Sequence, residues 1–369
     1  MSRSSNIGFV TKSRQERWLA TACCAFLIAG VMALSTGCSG SSGAQVDTTP
    51  VPYTVREFSP PPVTVPPAQT APGTARQAQM TETLLGAYSL DSEFSWLTAV
   101  ASSNYQGRKA GSAGARAAAA YIASQFSQLG LSPWKDAGLG DYLEPFSSGG
   151  LESDNVIGIL PGSTNPGSYV IIGSHYDHLG LDSSGRPFNG ADDNAAGVAA
   201  VLEMARIFQQ TGIRPAKTVV FCAFSAEEEG MLGSAALGRQ LVNAGLDKKT
   251  EMINIDGIGA TGGSYFEVWD EGAANAAPLV NTMQTADQLL GTPVEAAGTD
   301  IGSDAQPFDW DYSIPAVTVD WSWGQDPSPW HPYYHTIYDT PDKIDKTVLA
   351  QATRIALVGF WLRASAQAS

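Results

Sequence analysis

Three apolar runs deliver metal-binding side chains at one end: His175 closes SYVIIGSH, Glu227 and Glu228 follow TVVFCAFSA, and Asp256 closes EMINID. Imidazole nitrogens and carboxylate oxygens are the donors that suit zinc and its divalent neighbours. Taken singly, each is equally well a solvated strand end or a helix cap. Convergence from three strands is what gives the set weight. Asp192 and Asp193 form an adjacent pair directly before the helical stretch NAAGVAAVLEMA. A helix cap favoured by the dipole is the plain alternative there, but the Gly-containing approach SSGRPFNGADD can carry a carboxylate back to a shared site. Neighbouring side chains near a strand end point in different directions, so of Glu227 and Glu228 one can bind metal while the other faces an attacking water. Glu229 is expected in solvent. His335, in the loop-like HPYYHTIYDTPDKID, supplies a second imidazole among only four histidines. Gathered at one place, donors of these types could hold divalent metal.

The elements that must position these residues follow from periodicity. VIGIL, SYVIIGSH, TVVFCAF, EMINID, YFEVWD and PAVTVDW read as strands. Helices are expected over 114–129, 195–210, 233–244, 274–290 and 346–364, each with apolar residues three or four apart. Strands alternating with helices make an α/β fold, whose ligand site lies beyond the carboxyl ends of the strands. Gly257, Gly259 and Gly262 spell GxGxxG after a strand, but the strand-like GSYFEVWDEG follows, which makes them a turn and not a dinucleotide site. Cys222, inside an apolar run, reads as a buried small hydrophobe. His178 and His331 read as ordinary loop residues. Trp321, Trp323 and Trp330 are open between a substrate pocket and core packing.

Residues 1–38 carry Arg3, Lys12, Arg14 and Arg17 before an apolar run from Trp18 to Leu34 and then STGCSG, the layout of an export signal. Cys38 stands where a lipoprotein signal is cut and acylated, although Ser35 occupies the place usually held by Leu. Residues 39–76, rich in Pro, Thr and Ser, read as an extended tether, and 77–369 as one continuous domain. A net charge of −15 argues against nucleic acid as a partner. Contact with a membrane is expected only through an anchor at Cys38.

The ordered series GSHYDHLG, NGADDNAAGVAAVLEMAR, SAEEEGMLGS, NIDGIG, SDAQPF and YHTIYDTPDKID resembles the M28 family of aminopeptidases. Upstream, YQGRKAGSAGARAAAAYIASQFSQLGL resembles the first helix of that family, so the likeness spans nearly all of 77–369. It implies a mixed, mostly parallel central sheet with helices on both faces, the zinc aminopeptidase/phosphorylase-like α/β fold. Two zinc ions are implied, with Asp192 bridging, His175 and Asp256 completing one shell, and Glu228 and His335 the other. Asp177 is implied to accept the His175 ring N–H, Glu227 to be the general base and Tyr334 to hydrogen-bond the oxyanion. A packed aromatic is the other reading of Tyr334. The family's cis peptide between adjacent aspartates is expected at Asp192–Asp193. Two departures stand out: the common SDH is Ser303, Asp304, Ala305, and the Met usual after the strand-end Asp is Gly257. The donor set leaves cobalt or manganese open beside zinc. The expected function is removal of N-terminal residues from peptides outside the cytoplasm. Carboxypeptidase or dipeptidase activity on the same fold, a glutaminyl cyclase and a non-catalytic binding protein are the alternatives.

Overall fold

The computed structural model describes residues 72–260, 265–270, 272–298, 302–322 and 331–366. The export signal, Cys38, most of the expected tether, Trp323 and Trp330 lie outside them.

Eight strands form one sheet: β1 Leu143–Ser148, β2 Leu151–Leu160, β3 Asn165–His175, β4 Lys217–Phe224, β5 Thr250–Ile255, β6 Tyr265–Trp269, β7 Val294–Gly298 and β8 Ala316–Ser322, in the order β1-β2-β4-β3-β5-β8-β6-β7. The central four, β4, β3, β5 and β8, run parallel. β2 pairs antiparallel with β4 and β6 with β8, so the sheet is mixed around a parallel centre. In that centre every residue of β4 and β5 is buried, as expected of strands covered on both faces.

Eight α-helices accompany the sheet among the described residues: α1 Pro72–Ala87, α2 Leu90–Val100, α3 Ala113–Gln128, α4 Ala196–Thr211, α5 Leu232–Ala244, α6 Ala277–Leu290, α7 Ala305–Tyr312 and α8 Lys346–Ser365. Alternate side chains of each central strand enter different cores, following the two-residue period of the pleat. Val170, Ile172, Val219 and Phe221 pack with α3, α4, α6 and α8, while Ile171, Val220, Cys222 and Phe224 pack with Leu237 and Leu241 of α5 and Phe308 of α7. α4 is buried on nearly every side as far as Phe208, which is why its sequence lacks a polar stripe. Its start lies tight on the strand ends, since a Cβ on Gly197 would meet Ser174 Oγ at 2.4 Å and the Ile255 carbonyl oxygen at 2.9 Å.

All six expected strands and five expected helices are present, with ends that coincide or shift by up to five residues. Residues 72–76, expected as the end of the tether, are helical instead: helix α1 begins at Pro72, where a proline's fixed φ and missing N–H suit a first helical turn. The described residues 256–260 after β5 form no helix and the next described element is strand β6, while Gly262 lies outside the described residues. Trp321 packs in the core at 3% exposure. Among the described residues no helix is long and apolar enough to cross a membrane.

Candidate metal centre

Parallel pairing puts the carboxyl ends of β3, β4 and β5 at one edge, and each strand hands over its polar residue there. His175 is the last residue of β3 and is buried. Its Nε2 lies 3.1 Å from Asp193 Oδ1 and 3.5 Å from Asp256 Oδ1. Asp256 follows β5 directly, and its other oxygen accepts a hydrogen bond from Ser303 Oγ (2.6 Å), which in turn accepts one from Asn254 Nδ2 (2.8 Å). Beyond β4 the chain turns through Ala226 in the left-handed region (φ 59°), and Glu227 and Glu228 come after it. Glu228 reaches His178 Nδ1 with Oε1 (2.6 Å) and His335 Nε2 with Oε2 (3.1 Å). Asp193 Oδ2 faces the same two rings, 3.2 Å from His335 Nε2 and 3.8 Å from His178 Nδ1.

The shared carboxylate is therefore Asp193. The expected bridge, Asp192, belongs to neither of the two donor groups, His175/Asp193/Asp256 and His178/Asp193/Glu228. Asp192 turns the other way: Oδ1 accepts the Gly259 N–H at 2.7 Å, and Oδ2 pairs with His331 Nδ1. The cis peptide is displaced by the same single residue, falling at Asp193–Asn194. The physical reason is the irregular turn over 191–195, in which Asp193 and Asn194 leave helical φ/ψ. Asn194 fixes that turn by donating to the Ile255 carbonyl (2.9 Å) and accepting the Gly197 N–H (3.1 Å).

Asp177 also differs from expectation. The His175 ring meets the Asp177 main-chain carbonyl at 3.2 Å, with the carboxylate 3.8 Å away. That carboxylate accepts instead the N–H groups of Glu227 (3.1 Å) and Glu228 (3.3 Å), so it sets the turn that presents both glutamates. Glu229 is exposed, as expected, and pairs with Lys109 at 2.6 Å. His335 has a positive φ of 55°, and Tyr334 stacks on its ring at 3.8 Å and 15°.

Four further residues support the site: Asp339 and Arg108, which sequence reasoning passed over, and His178 and His331, which were expected to be ordinary loop residues and are not. His178 stands in the second donor group, and its spacing in HYDH, three residues after His175, was the available signal. Asp339 accepts the amides of Asp192 (2.9 Å) and Asp193 (3.1 Å). Arg108 is fully buried, and its guanidinium donates to the carbonyls of Val100, Tyr176, Asn189 and Gly190, holding the loops beneath the acids. Burial lowers it to about 10, which leaves it charged at neutral pH. His331 seats Asp192.

The electrostatics demand positive charge. Burial alone would lower His175 and His335, yet Asp256 and Asp193 raise the first well above its usual range, and Asp193 and Glu228 push the second up to about 10. Burial raises Glu227 well above the ordinary carboxyl range, with Asp256, Asp304 and Glu228 adding to it against His175. Asp193 is held well below, because His175 and His335 outweigh its burial. Asp193 Oδ2 is itself buried and accepts no well-directed hydrogen bond. An orphaned oxygen between carboxylates and imidazoles that face one another is what a pair of divalent cations would satisfy. The residues fit.

A mixed sheet with convergent acid and imidazole donors at its carboxyl edge defines a metallohydrolase-type scaffold. The sequence profile of peptidase family M28 matches residues 155–359, and the chain belongs to that family. It is 32% identical over 215 residues to leupeptin-inactivating enzyme 1 of Streptomyces exfoliatus, covering 58% of this chain and 44% of that one. It is 28% identical over 213 residues to a glutamate carboxypeptidase 2 homolog of Caenorhabditis elegans, covering 51% and 26%. The chain thus spans less than half the length of these curated relatives. In fold it resembles BSAP, a zinc aminopeptidase from Bacillus subtilis, with a TM-score of 0.62 at 19% identity over 76% of this chain and 96% of that one.

Proposed function

We propose that the chain is a two-metal aminopeptidase that removes N-terminal residues from peptides. The observation that carries the reading is Asp193, whose Oδ1 faces His175 at 3.1 Å while Oδ2 faces His335 at 3.2 Å. His175, Asp193 and Asp256 would hold one ion, and Asp193, Glu228 and an imidazole of the His335 and His178 pair the other. When bound, such ions polarise the scissile carbonyl, acidify water and let the crowded acids ionise.

The protein's own groups then act as follows. Glu227, beside the donors and outside both groups, takes a proton from the attacking water and returns it to the leaving amine. Tyr334 is 44% exposed and stacked on His335, a ligand candidate of the second position. Burial and the acids Asp193, Asp256, Glu228 and Glu227 raise its phenol, so it remains a donor for the tetrahedral oxyanion. Asp177 keeps the glutamate turn in register through the amides of Glu227 and Glu228.

An acidic site suits a substrate's free ammonium group. A carboxypeptidase needs a cation for the terminal carboxylate instead. Arg108 spends its donors on carbonyls, Lys109 pairs with Glu229, and Lys343 pairs with Asp342. Amino-acyl anilides assayed beside N-blocked dipeptides test the assignment: cleavage of the anilides is expected, and cleavage of the blocked set alone would refute it. We also propose export with an acyl anchor at Cys38. Fatty-acid labelling that survives Cys38→Ala unchanged would refute the anchor.

A further inference from the structure

Asp192 and His331 lie outside both donor groups, yet they join the turn that carries Asp193 to the segment after β5 and to the segment that leads to His335. Asp192 Oδ1 accepts the Gly259 N–H (2.7 Å), and the Gly259 carbonyl accepts the Asp345 N–H (3.0 Å). Asp192 Oδ2 carries the His331 ring. That ring rests on bare backbone: Gly257 has φ +64°, and a Cβ there would meet His331 Cε1 at 3.0 Å. His331 begins the turn that presents the next ligand, since its carbonyl accepts the Tyr334 N–H (3.0 Å) and the Tyr333 carbonyl accepts the Thr336 N–H (3.0 Å). Asp339, on the same segment, grips the turn from its other side through the Asp192 and Asp193 amides.

The two halves of the site are therefore held differently. His175 and Asp256 stand at the ends of β3 and β5, braced by the sheet and by the Ser303–Asn254 chain. His335 sits at positive φ, at 36% side-chain exposure, in a turn-rich loop outside the described strands. Its approach to Asp193 and Glu228 depends on what pins that loop.

We propose that the Asp192–His331 ion pair is a positioning clasp: it holds the His335 loop over the Asp193 turn and so sets the affinity of the second metal position independently of the first. The inference rests on the two-metal reading above. Metal-stripped full-length protein titrated with Zn2+ in a calorimeter provides the test. Two binding steps are expected for the wild type. In His331→Ala one step should weaken about ten- to hundred-fold, the usual cost of losing a group that orients a ligand, while the other stays within about two-fold. Asp192→Asn keeps an acceptor for the Gly259 amide and removes the charge, and it should show the same one-sided loss. Two wild-type steps that persist unchanged in both variants, or that weaken equally, would overturn the clasp alone. A wild type that takes up no zinc would overturn the two-metal reading and the clasp with it.

Discussion

Side by side in the sequence, Asp192 and Asp193 have opposite tasks, and so do Glu227 and Glu228. In each pair one carboxylate joins a donor group while its neighbour does not. Glu227→Gln should leave zinc uptake intact and lower kcat by roughly 10²–10⁴, the share a general base contributes. Steady-state kinetics with a metal count on the same sample check this, and undiminished turnover would remove Glu227 from the mechanism. Asp193→Ala should abolish binding of both ions, because both donor groups share that residue. His175, Glu228, Asp256 and His335 were legible because each follows an apolar run or stands in a motif. The choice between Asp192 and Asp193 was not legible. Periodicity assigns faces to regular elements, and the turn over 191–195 has no regular period.

At the scale of elements, the parallel centre of the sheet was readable from continuous apolar runs, whereas its rims were not. β1 (LEPFSS) and β7 (VEAAG) are short, half-exposed edge strands whose pattern resembles a loop. α1 and α2 escaped notice because they are fastened by buried polar contacts as well as by an apolar stripe. Glu93 of α2 is fully buried and accepts hydroxyl hydrogen bonds from Tyr88 (2.5 Å) and from Thr353 of α8 (2.5 Å). Glu203 of α4 accepts the Ser89 N–H at 2.7 Å and pairs with Arg206. Burial pushes Glu93 up to about 8, with Glu203 adding to the shift and the two hydroxyls opposing it. The folded state therefore binds this proton more tightly than the unfolded chain, whose glutamate titrates near 4.5. The stabilisation is complete below the unfolded value and is lost as pH rises through the folded one. The melting temperature should fall between about pH 5 and pH 8, and Glu93→Gln should flatten that slope. Parallel slopes for the two proteins would contradict the linkage.

For the whole molecule, the acids gathered at one sheet edge repel one another, and the fold tolerates them through Arg108 and the four histidines. Cations that bind only the native state add stability by mass action, about 4 kcal/mol per site at a thousand-fold excess over Kd. Zinc should raise the melting temperature by several degrees and a chelator should reverse the gain. No shift with either would show that the cluster holds no metal. The same sheet contains a natural reporter. Cys222 lies at zero exposure in the fully buried β4, and it is the sole thiol of the sequence after Cys38. Burial raises its pKa well above the usual thiol value, so in the native chain it is both hidden and unreactive. In protein that begins beyond Cys38, a colorimetric thiol reagent would thus act as a stopwatch: each labelled molecule marks one occasion when the middle of the sheet came apart, timed without any engineered probe.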